Sequence, residues 1–290
     1  MPNNRTDGAP PPTVRAFTRA DLAAAATVAA AAFELDLRAP SARARWRARV
    51  AHGLRADPRG AFVAYAGDRL VGVAQAMARE RLWCLSLLTV APGTQSAGAG
   101  RALLERALGY ASELADGLIV SSSDPRALRL YARAGFALRP ALAARGIPDR
   151  RALRAGARAL REGGVRDLAA LEAISREVRG GPHTAELRFA LERGATLHVI
   201  DERGFAVTDP ERGPWLLAAR DEEAASALLH RALARTPRGA AVRVGWITAE
   251  QRWAVEVALR AGLELVPHGA LCVRGEPGTR RPFLPSAPFA

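Results

Sequence analysis

Lysine is missing from this chain. All 42 basic residues among the 290 are arginine, against 29 acidic ones, for a formal net charge of +13. The arginines are dispersed among acids except near 145–161. A binder of nucleic-acid backbones needs one concentrated basic face, so nucleic acid is not an expected partner. With the heavy Ala, Gly and Pro usage, the arginine excess reads as compositional bias that still favours anionic ligands in general. Cysteine is scarce too. Cys84 and Cys272 each lie in an apolar stretch, which reads as two buried thiols and argues against a disulfide framework. Zinc-finger spacing is absent, and no metal is expected. Long apolar runs are also lacking. The Ala-rich stretch 23–32 is too short to span a bilayer and is interrupted by Thr27. The opening MPNNRTDGAPPPT has no apolar signal core. The expectation is a cytoplasmic protein with no membrane partner.

What is present is hydrophobic residues, 49% of the chain, enough for one large or two modest domains. The most informative stretch runs over 82–104, LWCLSLLTVAPGTQSAGAGRALL. An apolar run over 82–90 ends at Pro92, a small-residue loop follows, and Leu103, Leu104, Ala107 and Leu108 then recur at helical spacing. This is strand, loop, helix. The first N–H groups of a helix lack intrahelical partners and can receive phosphate oxygens, while glycines let a ligand approach the backbone. An ordinary glycine turn would have the same wording.

Around that stretch the pattern predicts a strand at 14–17 and helices near 20–36 and 41–54. Strands follow at 61–65 and 70–78, with a turn at Gly67-Asp68. After the helix at about 99–113 come a strand at 117–121, a helix at 127–134 closed by Gly135, and a strand from Phe136. Antiparallel strands thus give way to strand–helix–strand–helix–strand, a mixed α/β sheet. The Arg-rich stretch 146–162 reads as a linker. The same order then repeats, and RALRLYARAGFALRP at 126–140 parallels RWAVEVALRAGLELVP at 252–267. We read an internal duplication. The expected division is a disordered tail at 1–12, domains at 13–145 and 163–275 joined by the linker, and a Pro-rich tail at 276–290 that either packs through Phe283 and Phe289 or hangs loose. A terminal strand pair is expected at 263–266 and 270–273.

The strand ending at Val90, the glycine loop and LYARAGF at 130–136 together resemble the GCN5-related N-acetyltransferase (GNAT) superfamily. The resemblance covers most of 13–140, with the fold repeating in 163–275. It implies two tandem α/β folds, each a mixed, largely antiparallel sheet flanked by helices. It also implies acetyl-CoA as the bound acyl donor. The family loop, Gln/Arg-x-x-Gly-x-Gly/Ala, matches Gln95, Ser96, Ala97, Gly98, Ala99 and Gly100, whose amides would hold the pyrophosphate. Arg101 either helps by charge or is an exposed helix residue. Leu88, Thr89 and Val90 would present backbone groups to the cofactor, with the Leu88 N–H polarising the acetyl carbonyl. Tyr131 matches the family's general acid, and packing beside Leu130 and Phe136 is its other reading. Asp124 stands where the family often has Asn, as a cofactor contact or, preferably, a helix cap. Glu80 is the candidate base, against a plain surface charge; Glu34, Asp36 and His52 are further candidates.

In the second half Asp221, Glu222 and Glu223 replace the glycine loop, and Ala258 stands at the place of Tyr131. That copy reads as degenerate, lending Trp215, Trp246, Trp253 and His198 to a cleft or to its own core. The implied activity is acetyl transfer to a primary amine of a small molecule or a peptide, with a homodimer as a further possibility. The alternative is an inactive acyl-CoA-binding regulator or sensor.

Overall fold

The computed structural model describes residues 11–94, 98–153 and 159–289. The expected tail at 1–12 lies almost wholly outside them. The chain forms two compact units, one of residues 1–78 and 85–113, the other of 79–84 and 114–290.

In the first unit, strands β1 (Thr13–Ala16), β2 (Ala61–Ala66), β3 (Arg69–Arg79, all but its last residue) and β4 (Leu82–Val90, from Leu85 onward) are neighbours in that order. Helices α1 (Leu22–Phe33) and α2 (Pro40–Ala56) precede the β2–β3 hairpin, and α3 (Ala99–Gly109) follows β4. Ala25, Val28 and Ala29 of α1 and Trp46 and Val50 of α2 recur at helical spacing and bury against Val63, Val73 and Leu87. The chain of small α1 residues lets that helix lie close. Gly53 does the same for α2, because a Cβ there would meet the Gln75 side chain at 2.5 Å. Gln75 in turn donates to the Val50 carbonyl at 3.0 Å. Buried Asp57 ends α2 and accepts from Ala78 N at 3.0 Å and the Tyr110 hydroxyl at 3.1 Å. A second buried carboxylate, Asp21, takes both Arg15 amino groups, Thr18 N and the Tyr65 hydroxyl. The Arg15 guanidinium, with those donors, outweighs burial and holds its carboxyl far below the usual range.

The second unit holds β5 (Asp116–Ser121), α4 (Pro125–Arg133), β6 (Ala137–Gly146), β7 (Leu160–Gly163), α5 (Leu168–Arg179), α6 (Thr184–Glu192), β8 (Thr196–Ile200), β9 (Gly204–Asp209), β10 (Gly213–Ala219), α7 (Glu222–Arg235), β11 (Val242–Thr248), α8 (Arg252–Arg260), β12 (Glu264–Arg274) and β13 (Phe283–Leu284). Strand β7 falls at the end of the expected linker, where no apolar alternation marks it. The expected terminal pair is one strand, β12, whose register shifts between Pro267 and Ala270.

The duplication has an unexpected outcome. β12, the last long strand of the second repeat, pairs with β5 of the first, Leu271 opposite Val120. β6, the last strand of the first repeat, pairs with β11 of the second, Leu142 opposite Ile247. β6 and β12 also pair with each other, so the order is β5–β12–β6–β11. Each of β6 and β12 thus pairs with a strand of the other repeat. The remaining strands form a separate sheet in the order β13–β10–β9–β8–β7. A core of Leu228, Leu229 and Leu233 from α7, Trp253 and Val257 from α8, and Val244 and Ile247 from β11 lies inside this unit.

Candidate active site

Within the first unit, β4 alternates. Ser86, Leu88 and Val90 are half-buried, while Leu87 and Thr89 point inward. Thr89 is 4% exposed and its hydroxyl has no hydrogen-bond partner among the described residues. A buried hydroxyl without a partner costs on the order of 1–3 kcal/mol, so it marks a place where a ligand's amide could bind. Beyond β4, Ala91 N donates to the Val71 carbonyl at 2.7 Å, and Thr94 turns the chain by donating N–H and hydroxyl to the Ala91 carbonyl. Gln95, Ser96 and Ala97 lie outside the described residues.

The chain then enters α3 at Gly98, which has φ +82° and, among the described residues, nothing within 4 Å of where a Cβ would stand. A side chain there would be strained, whereas glycine adopts this backbone freely and leaves the helix end open. The first turn of α3 carries no acidic residue. Its partial positive charge is therefore uncompensated from within the turn, as an anion site requires. Ala99 is buried and Gly100 half-buried behind the opening. Arg101 pairs with Glu105 at 2.7 Å one turn along and is 78% exposed, which favours the exposed-helix reading. These features fit an acyl-CoA pyrophosphate and its arm: a left-handed glycine, an acid-free helix start and an orphaned hydroxyl.

Glu80, Asp124 and Tyr131 belong to the second unit. Glu80 sits in the β3–β4 turn with φ +55° and accepts from Arg176 Nε at 2.8 Å. Its carboxylate thus ties the β3–β4 turn to α5. Asp124 caps α4, accepting from Arg126 N at 2.9 Å, and its carboxyl is held below the usual range chiefly by the Arg126 guanidinium. The preferred capping role is the one observed. Of the other base candidates, Asp36 is bound to Arg38 at 3.0 Å on the surface, and Glu34 caps α1 in a left-handed backbone.

Tyr131 lies on α4 and is 5% exposed. Burial, with the nearby Cys272 and Asp124 charges adding to it, pushes its hydroxyl well above the ordinary tyrosine range. The group is thus a proton holder at neutral pH and not a base. Cys272 is likewise pushed up to about 12 by burial, in keeping with an inert thiol.

The corresponding junction of the second repeat is built differently. Asp221 caps α7, accepting from Ala224 N at 2.8 Å, and Arg203 binds both Asp221 and Glu223. The edge of β10 is also taken. β13 pairs there, with Leu217 opposite Leu284 and Ala218 opposite Phe283, and Ala219 N donates to the Pro282 carbonyl at 3.2 Å. Gln251, at the position matching Asp124 in the repeat alignment, holds this tail on both sides. Its Nε2 donates to the Arg280 carbonyl at 2.7 Å, and its Oε1 accepts from Phe283 N at 3.1 Å and Trp253 Nε1 at 2.9 Å. Phe289 is buried against Trp215 at 4.9 Å, with its carbonyl held by fully buried Arg179 at 2.7 Å. The tail is therefore packed and not loose. Trp253 and His198 are core residues. Trp246, in a left-handed backbone at φ +52°, stacks on His268 at 4.6 Å and donates to the Ser121 carbonyl at 3.0 Å. Sequence reasoning passed over Gln251, although its place before α8 mirrors that of Asp124.

With this geometry in hand, the comparisons give the class. Residues 37–148 match the family model described as an acetyltransferase (GNAT) domain. Among solved structures, a candidate acetyltransferase of Pyrococcus horikoshii aligns with TM-score 0.79 at 16% identity, covering 98% of this chain and 97% of that one. A GCN5-related N-acetyltransferase of Sphaerobacter thermophilus aligns with TM-score 0.58 at 19% identity, covering 91% and 95%. A tandem GNAT protein from the clavulanic acid biosynthesis pathway aligns with TM-score 0.57 at 17% identity, covering 90% and 98%. No curated protein matches. Residues 37–148 thus match a GNAT domain, and nearly the whole chain shares the fold of the Pyrococcus horikoshii structure. Among the described residues, no helix is long and apolar enough to cross a membrane, and no group of His, Cys and acidic side chains could hold a metal.

Proposed function

We propose that this protein is an acetyl-CoA-dependent N-acetyltransferase whose chemistry belongs to the first repeat, the second being a degenerate copy. The observation that carries the reading is the open α3 N-terminus at left-handed Gly98 inside the matched GNAT domain. The cofactor supplies an activated thioester. The amide groups from Gly98 onward hold its pyrophosphate, with Gln95, Ser96 and Ala97 completing the loop. Thr89 offers its free hydroxyl to the pantetheine arm, and Leu88 and Val90 offer backbone groups. The acceptor's neutral amine attacks the thioester carbon, and the Leu88 N–H steadies the oxygen as it becomes negative. Collapse of that adduct breaks the carbon–sulfur bond, and Tyr131 gives its proton to the departing thiolate. The amine's proton leaves to solvent or to an acceptor-side group, since Glu80 is committed to Arg176.

The acceptor is a primary amine of a small molecule or a peptide. A mass-spectrometric screen of amines with acetyl-CoA, run on wild type and Tyr131→Phe, tests the reading. Acetylated product from the wild type and its loss in the variant is the expected result. Tight acetyl-CoA binding with no product from any amine would favour the sensor alternative instead. Localisation in the cytoplasm and self-association as a homodimer complete the proposal.

A further inference from the structure

The second unit contains a cavity of about 250 Å³. Its walls include Arg139 of β6, Thr248 and Glu250 at the end of β11, and Thr279, Arg280 and Arg281 of the tail. Three guanidinium groups meet one carboxylate. That carboxylate is already committed. Burial alone would raise its pKa, but bonds from the Thr248 hydroxyl and the Arg139 guanidinium outweigh it and keep Glu250 ionised.

Of the remaining cations, Arg280 feels Glu250 and Glu276 but forms no ion pair with either among the described residues. Arg280 adopts φ +56°, its carbonyl is fixed by Gln251, and its Nη1 donates to the carbonyls of Pro277 at 3.3 Å and Gly278 at 3.0 Å. Those carbonyls carry no charge. Its Nε is buried and has no acceptor among the described residues. Arg281 has no ion-pair partner among the described residues. A buried guanidinium N–H left without an acceptor is unfavourable and calls for a partner. The cavity is several times the share of volume of one water, about 30 Å³. Arg280 and Arg281, adjacent in the chain, both line it, so its wall carries more guanidinium than carboxylate. That arrangement suits a tetrahedral dianion, whose oxygens accept from several forks at once.

We propose that this cavity is a binding site for a phosphate group, held by Arg280 and Arg281 with Arg139 and the Thr279 hydroxyl beside them. It shares no residue with the α3 opening, so it stands or falls apart from the proposed catalysis. The ligand is free phosphate or the terminal phosphate of a phosphomonoester.

The test is calorimetric titration of the full-length protein at low ionic strength, in a Gly98→Asp background so that the loop does not compete. Inorganic phosphate is one probe and adenosine 3′-phosphate the other. Saturable binding of phosphate is expected, weakened roughly tenfold or more by Arg281→Glu and less by Arg281→Gln. Tighter binding of the nucleotide would assign the site to phosphomonoesters, and equal binding to free phosphate. Arg281 is exposed, so its variants should fold, which circular dichroism checks. Absence of saturable binding, or equal affinity in Arg281→Glu, overturns the site.

Discussion

The junctions β4–α3 and β10–α7 come from one duplicated design and use it in opposite ways. Both run from an apolar strand through a turn into a helix. At the first, Gly98 caps the helix with no side chain and the opening turn is free of acid. At the second, Asp221 caps the helix with its own carboxylate and Arg203 neutralises the surplus charge. A helix start carries partial positive charge whichever way it is used. The second repeat satisfies it internally, and the first leaves it for a visitor. The same contrast extends to the strand edge, because β13 occupies β10 as an added strand would. The two junctions thus differ in places filled as well as in glycines.

The comparison can be broken most severely at Gly98. Gly98→Asp puts a carboxylate on the α3 start, and acetyl-CoA affinity should fall by roughly 100-fold or more by calorimetry, since charge-assisted bonds worth about 1.5–3 kcal/mol each are lost. The reciprocal Asp221→Gly should create no second site, because β13 still covers β10; a stoichiometry of two would refute the contrast. Tyr131→Phe should lower turnover by about 100-fold while leaving acetyl-CoA affinity nearly unchanged. Equal turnover would return Tyr131 to the core.

A smaller effect concerns the second repeat's interior. His198 is buried, bonded to Thr208 at 3.0 Å, and pushed down to about 4 by burial, with Arg231 and Arg235 assisting. The unfolded chain takes up a proton on this residue near pH 6.5, and the folded chain does so only near pH 4. Stability contributed by neutral His198 is therefore full above pH 6.5 and is lost as pH falls towards 4, by roughly 2–3 kcal/mol. His198→Gln should flatten that slope in urea titrations between those pH values. The smallest expected change is Gln251→Ala, which leaves the Arg280 carbonyl and Phe283 N without partners. It should cost about 1–3 kcal/mol and open the tail to protease before the rest of the second unit.

Much of this was legible in advance. The strands and helices between 13 and 140 announce themselves by period, and Gly98 and Asp221 differ in the sequence as they do in space. The partners were not legible. Glu80 reads as a turn charge until α5 brings Arg176 to it. Strand β7 lacks apolar alternation because its side chains are only partly covered. The exchange of β6 and β12 is invisible because pairing between distant strands leaves no local signature. Its one trace is the insertion of His268 and Gly269, which separates Pro267 from Ala270 where the matching Pro140 and Ala141 are adjacent.

That exchange bears on how the chain is made. When β5 leaves the ribosome, its neighbour β12 has not yet been synthesised, so the sheet waits with an unpaired edge. Such an edge invites pairing with other chains until the final segment arrives to close it. The first repeat therefore cannot be finished by its own residues. A gene cut after residue 145 should yield an aggregating half, and co-expression of the missing half should rescue it.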